Sequence, residues 1–90
     1  MRTVVSSRRF LKDAKLAQRR GLDPRKLEAV IVLLATGGEL PVRLRDYALV
    51  ANWMAFRDCH IEPDWLLIYK VEGESLLLAR TGTHADLFAK

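Results

Sequence analysis

The sequence predicts an α+β fold: a two-helix hairpin packed on a small, twisted, largely antiparallel sheet. Three observations predict it. Apolar residues recur with helical spacing only in the first half of the chain. Strand-type runs fill the second half, and Gly, Pro and Asp punctuate the boundaries. Elements segregated in this way form a helix layer on one sheet face rather than an alternating α/β fold.

Thr3–Ser6 is a short β-prone run and reads as a first strand. Phe10, Leu11, Ala14 and Ala17 then fall at i, i+1, i+4 and i+7, the stripe of an amphipathic helix. Ser6 or Ser7 is its N-cap and Gly21 lies beyond its end. Asp23-Pro24 opens a second helix, because Asp caps well and Pro is tolerated at the first helical position. Leu27, Val30, Ile31 and Leu34 are its buried stripe, and Gly37-Gly38 stops it. Glu39–Val50 is a link. Strands are expected over Trp53–His60, Trp65–Glu72 and Ser75–Gly82, with Ile61–Asp64 between the first two and Gly73 turning the chain before the third. Thr83–Lys90 is a tail or a short helix. The order is β-α-α-β-β-β plus this tail.

Ninety residues supply one hydrophobic core, so residues 1–90 are read as a single domain. Half of them are apolar, which argues against disorder. No apolar run reaches the roughly 18 residues of a membrane helix, and MRTVVSSRRF lacks the apolar core of a secretory signal. The single cysteine, Cys59, excludes an internal disulfide and fits a reducing, cytoplasmic setting. Charge is uneven: residues 1–26 hold nine Lys/Arg against two Asp, and the remainder holds six against nine Asp/Glu. A basic amino-terminal block suits a polyanion, either nucleic acid or an acidic protein segment, although it also fits a solvated helix face.

The chemistry-bearing residues are few. His60 sits in C-H-I-E-P-D-W beside Asp64 and Trp65, and His84 follows Arg80 in R-T-G-T-H-A-D-L-F. If the strand ends converge, this set meets the needs of metal-free RNA cleavage. One group takes the ribose 2′-hydroxyl proton, another protonates the departing 5′-oxygen, and a cation stabilises the charge on phosphorus. Imidazole, with an unperturbed pKa of about 6.5, serves either proton step. Arginine presents a planar fork to phosphate. Trp65 and Phe88 offer faces for a splayed base. The same residues admit plainer roles: surface histidines, core aromatics, and an Arg80 paired with Asp64 or Asp86. Cys59 is demoted as a nucleophile, because it and His60 point to opposite faces of a strand. One Cys, two His and scattered carboxylates do not make a zinc signature, so neither metal nor other cofactor is expected.

Arg57–Lys70 (R-D-C-H-I-E-P-D-W-L-L-I-Y-K), Trp53 ahead of it, and Arg80–Phe88 closely resemble the YafQ branch of the RelE-type toxins. The L-P-x-x-x-R-D stretch of Leu40–Asp46 and the layout of the amino-terminal half agree, so the resemblance spans nearly the whole chain. It implies a RelE-like fold and an endoribonuclease that cuts mRNA in the ribosomal A site. It also implies an acidic antitoxin of the DinJ/RelB kind, whose complex with the toxin binds operator DNA through the antitoxin. Carried over by residue, it makes His60, Asp64 and His84 acid–base groups and Arg80 a phosphate contact. Trp65 and Phe88 would position the nucleotide, with Arg57 at the RNA. The sequence departs from the family at two places: Met54-Ala55-Phe56 replaces a more polar run, and Tyr47 stands where the family has histidine in a D-H-x-L pattern. Tyrosine, with a pKa of about 10, is a poor base at neutral pH. On this reading His60 and Asp64 supply the base, His84 the acid, and Tyr47 orients substrate. The departure also leaves open a non-catalytic protein that binds RNA, the ribosome or the antitoxin.

Overall fold

The computed structural model describes residues 1–49 and 53–88; Val50 at the end of the expected link, and Ala89 and Lys90 of the expected tail, lie outside them. The elements are β1 (Thr3–Ser6), α1 (Arg8–Arg19), α2 (Pro24–Thr36), a 3-10 turn (Val42–Leu44), β2 (Tyr47–Ala48), β3 (Arg57–Glu62), β4 (Trp65–Glu72), β5 (Ser75–Gly82) and α3 (His84–Phe88). The five strands form one sheet in the order β1-β5-β4-β3-β2. All pairings are antiparallel except β1 with β5, which is parallel.

Both long helices start and stop as their sequences dictate. Ser7 Oγ accepts the Phe10 N–H at 2.9 Å, and Asp23 Oδ1 accepts the Arg25 N–H at 2.9 Å with Pro24 next to it. Gly37 ends α2 in the left-handed region at φ 75°, which only glycine adopts without strain. The hairpin packs Phe10, Ala17, Leu27, Val30 and Leu34 on a sheet face made by Cys59, Trp65, Leu67, Leu76 and Leu78. Alternation along the strands sends Leu66 and Ile68 to the other face. There they pack with Leu87, Trp53, Phe56 and Phe88.

Two details differ from the expected layout. The strand expected over Trp53–His60 runs from Arg57 to Glu62, because Ala55 has φ 75° and the chain turns tightly there, while the turn expected over Ile61–Asp64 shortens to Pro63-Asp64. The turn at Ala55 places the Trp53 and Phe56 rings edge to face at 5.5 Å on the second sheet face. The expected link contains β2, whose two residues pair with Arg57 and Asp58.

Helix α1 also seals a sheet edge. Beyond Leu78, β5 has no strand on its outer side among the described residues, since β1 ends at Ser6. Ser7 Oγ donates to the Ala79 carbonyl at 2.8 Å, and Asp13 Oδ2 accepts the Thr81 N–H at 3.2 Å. At the far end, Arg20 Nη1 donates to Asp86 Oδ2 of α3 at 2.7 Å.

Asp86 also closes a capping box with Thr83: each side chain accepts the other's backbone N–H at 3.0 Å. Gly82 permits this approach, because a Cβ there would lie 2.9 Å from Asp86 Oδ2. The Arg20 hydrogen bond, then the Thr83 N–H, hold the Asp86 carboxyl down at about 2, against an ordinary 3.8. A depressed carboxylate pKa contributes stability that is complete above pH 3.8 and lost as pH falls from 3.8 towards 2. With solvent screening at this half-exposed pair the contribution is about 1 kcal/mol. Asp86→Asn is therefore expected to lower the unfolding free energy by that amount at pH 6. The difference from the parent chain should vanish near pH 2. Equal stability at pH 6 would contradict the assignment.

Candidate active site

The site lies where the β3–β4 turn meets the start of α3. Glu62 pairs with Trp65, so Pro63-Asp64 is a two-residue turn, and Asp64 sits at its tip. Thr83 and Asp86 cap α3, which puts His84 at its first position, facing that turn. Asp64 Oδ1 accepts the His84 backbone N–H at 2.9 Å and lies 2.6 Å from His84 Nδ1. These two bonds, the backbone one first, hold the Asp64 carboxyl below its ordinary range. An ionised Asp64 can only accept, so it fixes the ring with Nδ1–H turned towards it. Nε2 is left for proton exchange.

His60 stands on β3, with its ring centroid 5.4 Å from that of His84 and the planes inclined at 49°. Its Nδ1 is buried and has no hydrogen-bond partner among the described residues. The ring borders a cleft of about 600 Å³ whose walls include His84, Arg43, Arg45, Glu62 and Pro63. The two imidazoles expected to act together therefore do share one cleft. Asp64, expected to serve the base beside His60, is instead bonded to His84.

Other expected residues are placed differently. Trp65, expected to position a nucleotide, is 1% exposed. Its indole N–H donates to Thr81 Oγ1 at 2.9 Å, and that hydroxyl donates to the Leu66 carbonyl at 2.7 Å. Trp65 is therefore a core residue and offers no face to a base. Arg57, expected at the RNA, binds Asp46 through its guanidinium, and the Tyr69 hydroxyl donates to the same carboxylate. That cluster fastens the chain just ahead of β2. Arg80 pairs with neither Asp64 nor Asp86. Its Nε and Nη2 donate to the two Asp13 oxygens, each at 3.0 Å, and both side chains are largely buried. Phe88 is partly exposed over Leu66 and Ile68. Tyr47 is 57% exposed and lies directly across the ladder from Asp58.

Asp58 is the residue that the sequence reading passed over. It shares a strand face with His60, two positions away, and it is 7% exposed with Oδ1 unpartnered. Burial pushes its pKa up, opposed in part by His60. The D-C-H alternation carried that signal. Cys59 between them is fully buried, and burial pushes its thiol up to about 12, so it is inert at neutral pH. Among the described residues no three His, Cys, Asp or Glu side chains are placed to hold a metal ion.

A family model described as a bacterial toxin of type II toxin–antitoxin system, YafQ, matches residues 2–89. The chain belongs to the YafQ toxin family. The mRNA interferase toxin YafQ of Escherichia coli strain B / BL21-DE3 is 46% identical over 88 residues, 97% of this chain and 96% of that relative. YafQ in the crystal structure of the E. coli DinJ–YafQ complex superposes with a TM-score of 0.90 at 45% identity, over 98% of this chain and 99% of that one. A metal-bound toxin from Helicobacter pylori superposes with a TM-score of 0.91 at 37% identity, over 98% of this chain and all of that one. Full-length agreement at this identity confirms the fold expected from the YafQ resemblance.

Proposed function

We propose that the chain is an endoribonuclease toxin that cuts mRNA in the ribosomal A site by metal-free acid–base chemistry. The observation that carries the reading is the pair of imidazoles at 5.4 Å, one of them held by a carboxylate. His60 takes the proton from the ribose 2′-hydroxyl, which attacks the adjacent phosphorus. His84, protonated and steadied by Asp64, gives its Nε2 proton to the departing 5′-oxygen. The products are a 2′,3′-cyclic phosphate and a free 5′-hydroxyl. Phe88 borders the site as a surface for the nucleotide. Arg80, its guanidinium already paired with both Asp13 oxygens, serves the scaffold beneath α1. Trp65 and Arg57 act on the scaffold rather than on RNA.

DinJ, the partner of the related YafQ, supports an antitoxin of that kind for this chain. The nine Lys/Arg of residues 1–26 suit its acidic segments or ribosomal RNA. Control of operator DNA would then pass through the antitoxin. No helix among the described residues is long and apolar enough to cross a membrane, in keeping with a cytoplasmic site of action.

An in vitro translation reaction tests the reading. Purified toxin should cut a defined mRNA only when ribosomes are present, and the cuts should vanish with His84→Ala. Intact mRNA in every lane would leave a binding protein, which the Tyr47 departure favours. Tyr47 adds a second measurement. It lies beside Asp58 on the face that carries His60, so Tyr47→His should leave cleavage unchanged or raise it up to about ten-fold by adding a group that titrates near neutrality. A ten-fold loss in that variant would show that the tyrosine hydroxyl itself is needed.

A further inference from the structure

We infer that Arg43 and Arg45 form a phosphate subsite that holds the RNA backbone next to the bond being cut. This inference deepens the nuclease reading above and rests on it. It starts from a mismatch in charge. The two arginines that the sequence offered for phosphate, Arg57 and Arg80, are neutralised by Asp46 and Asp13. The histidine cleft is walled by Arg43 and Arg45 as well, both exposed, and neither has an ion-pair or hydrogen-bond partner among the described residues. The carboxylate on the same wall, Glu62, is paired with Lys26 at 3.2 Å.

The local backbone is built to present these two side chains. Leu44, between them, is 2% exposed and plugs the core under β3, so the 3-10 turn Val42–Leu44 cannot swing away. Arg45 follows with φ 46° and ψ 64°, a left-handed conformation that strains a non-glycine residue. Immediately after it, Asp46 is clamped by Arg57 and Tyr69. A strained residue held between a core plug and a clamp reverses the chain, and an arginine on each side of the plug borders the cleft. Guanidinium forks match phosphate oxygens, and no base pattern is required. The subsite therefore grips any sequence and adds affinity without choosing the cut position.

The test is equilibrium binding of a non-cleavable 2′-O-methyl oligoribonucleotide to the purified toxin over a range of salt. It compares the parent chain with Arg43→Gln, Arg45→Gln, the double variant and Arg43→Lys. Each Gln variant should bind about five-fold more weakly at low salt. The slope of log K against log salt should flatten by about 0.7 per arginine removed. Arg43→Lys should retain most of the slope, because it keeps the charge, and the losses should be the same for oligonucleotides of different sequence. Unchanged binding and slope in the double variant would overturn the subsite. So would losses confined to one base sequence, or a loss of affinity for an acidic peptide with RNA binding intact. The two readings fail separately. Arginine-dependent binding by a chain that never cuts mRNA would remove the nuclease and keep the subsite. Normal cutting with arginine-independent binding would do the reverse.

Discussion

His84→Ala is expected to lower ribosome-dependent cleavage by about a thousand-fold, within the range that general acid–base groups supply. The geometry gives the reason. Asp64 binds His84 at both its backbone N–H and Nδ1, so the ring has one orientation and one free nitrogen. Alanine leaves the departing oxygen to be protonated by water. Its Cβ and backbone N–H survive, so the α3 cap and the Asp64 turn remain in place. Asp64→Asn should act through the same ring and cost less, about ten- to a hundred-fold. An amide can present its nitrogen to Nδ1 and favour the wrong tautomer. Measured cut yields within ten-fold of the parent chain for His84→Ala would take His84 out of the chemistry.

Asp13→Ala is expected to lower stability by about 3 kcal/mol, the low end for removing one partner from a buried ion pair. For a domain of this size that corresponds to a fall in Tm of roughly 15 °C. The side chains of Arg80 and Asp13 are 15% and 11% exposed, so the guanidinium left behind is poorly hydrated. The Thr81 N–H loses its acceptor at the same time. Asp13→Asn should be milder, since one amide oxygen still accepts from Thr81 or Arg80. Thermal unfolding of the three proteins at neutral pH checks this. A shift of only a few degrees for Asp13→Ala would mean that water reaches Arg80 readily, and the arginine would then be available to RNA.

What the sequence made legible is what local chemistry writes down. Ser7, Asp23-Pro24 and Gly37 mark helix ends because caps and left-handed turns act within a few residues. Gly73 marks the β4–β5 hairpin for the same reason, with φ 59°. His60, Asp64 and His84, expected as acid–base groups, stood out in the two motif blocks, and the fold brings them near one another. Their wiring could not be read. The bond from Asp64 to His84 spans 20 positions and depends on how α3 docks against the β3–β4 turn. Arg80 and Asp13 are 67 positions apart, so nothing local in R-T-G-T-H reveals that the arginine is already occupied. Trp65 was expected at the nucleotide from the motif resemblance, but strand parity turns it into the helix-side core. The two residues of β2 carry too little pattern to register as a strand, and β1 gives no hint that its partner is parallel.

That parallel pairing also governs how the molecule comes into being. Ser7 and Ala79, hydrogen-bonded at the junction of β1, α1 and β5, are 72 positions apart. Contacts of such long range form late, because the chain entropy of closing the loop is lost before any contact is gained. Until β5 arrives, the helix hairpin has no complete sheet to cover, Arg80 has not met Asp13, and α3 has no Arg20 to dock on. The cleft and the core are therefore completed in the same event. A half-folded chain has sticky helices and no juxtaposed histidines. Its hazard is aggregation, and the histidine pair is not assembled until the last strand is seated.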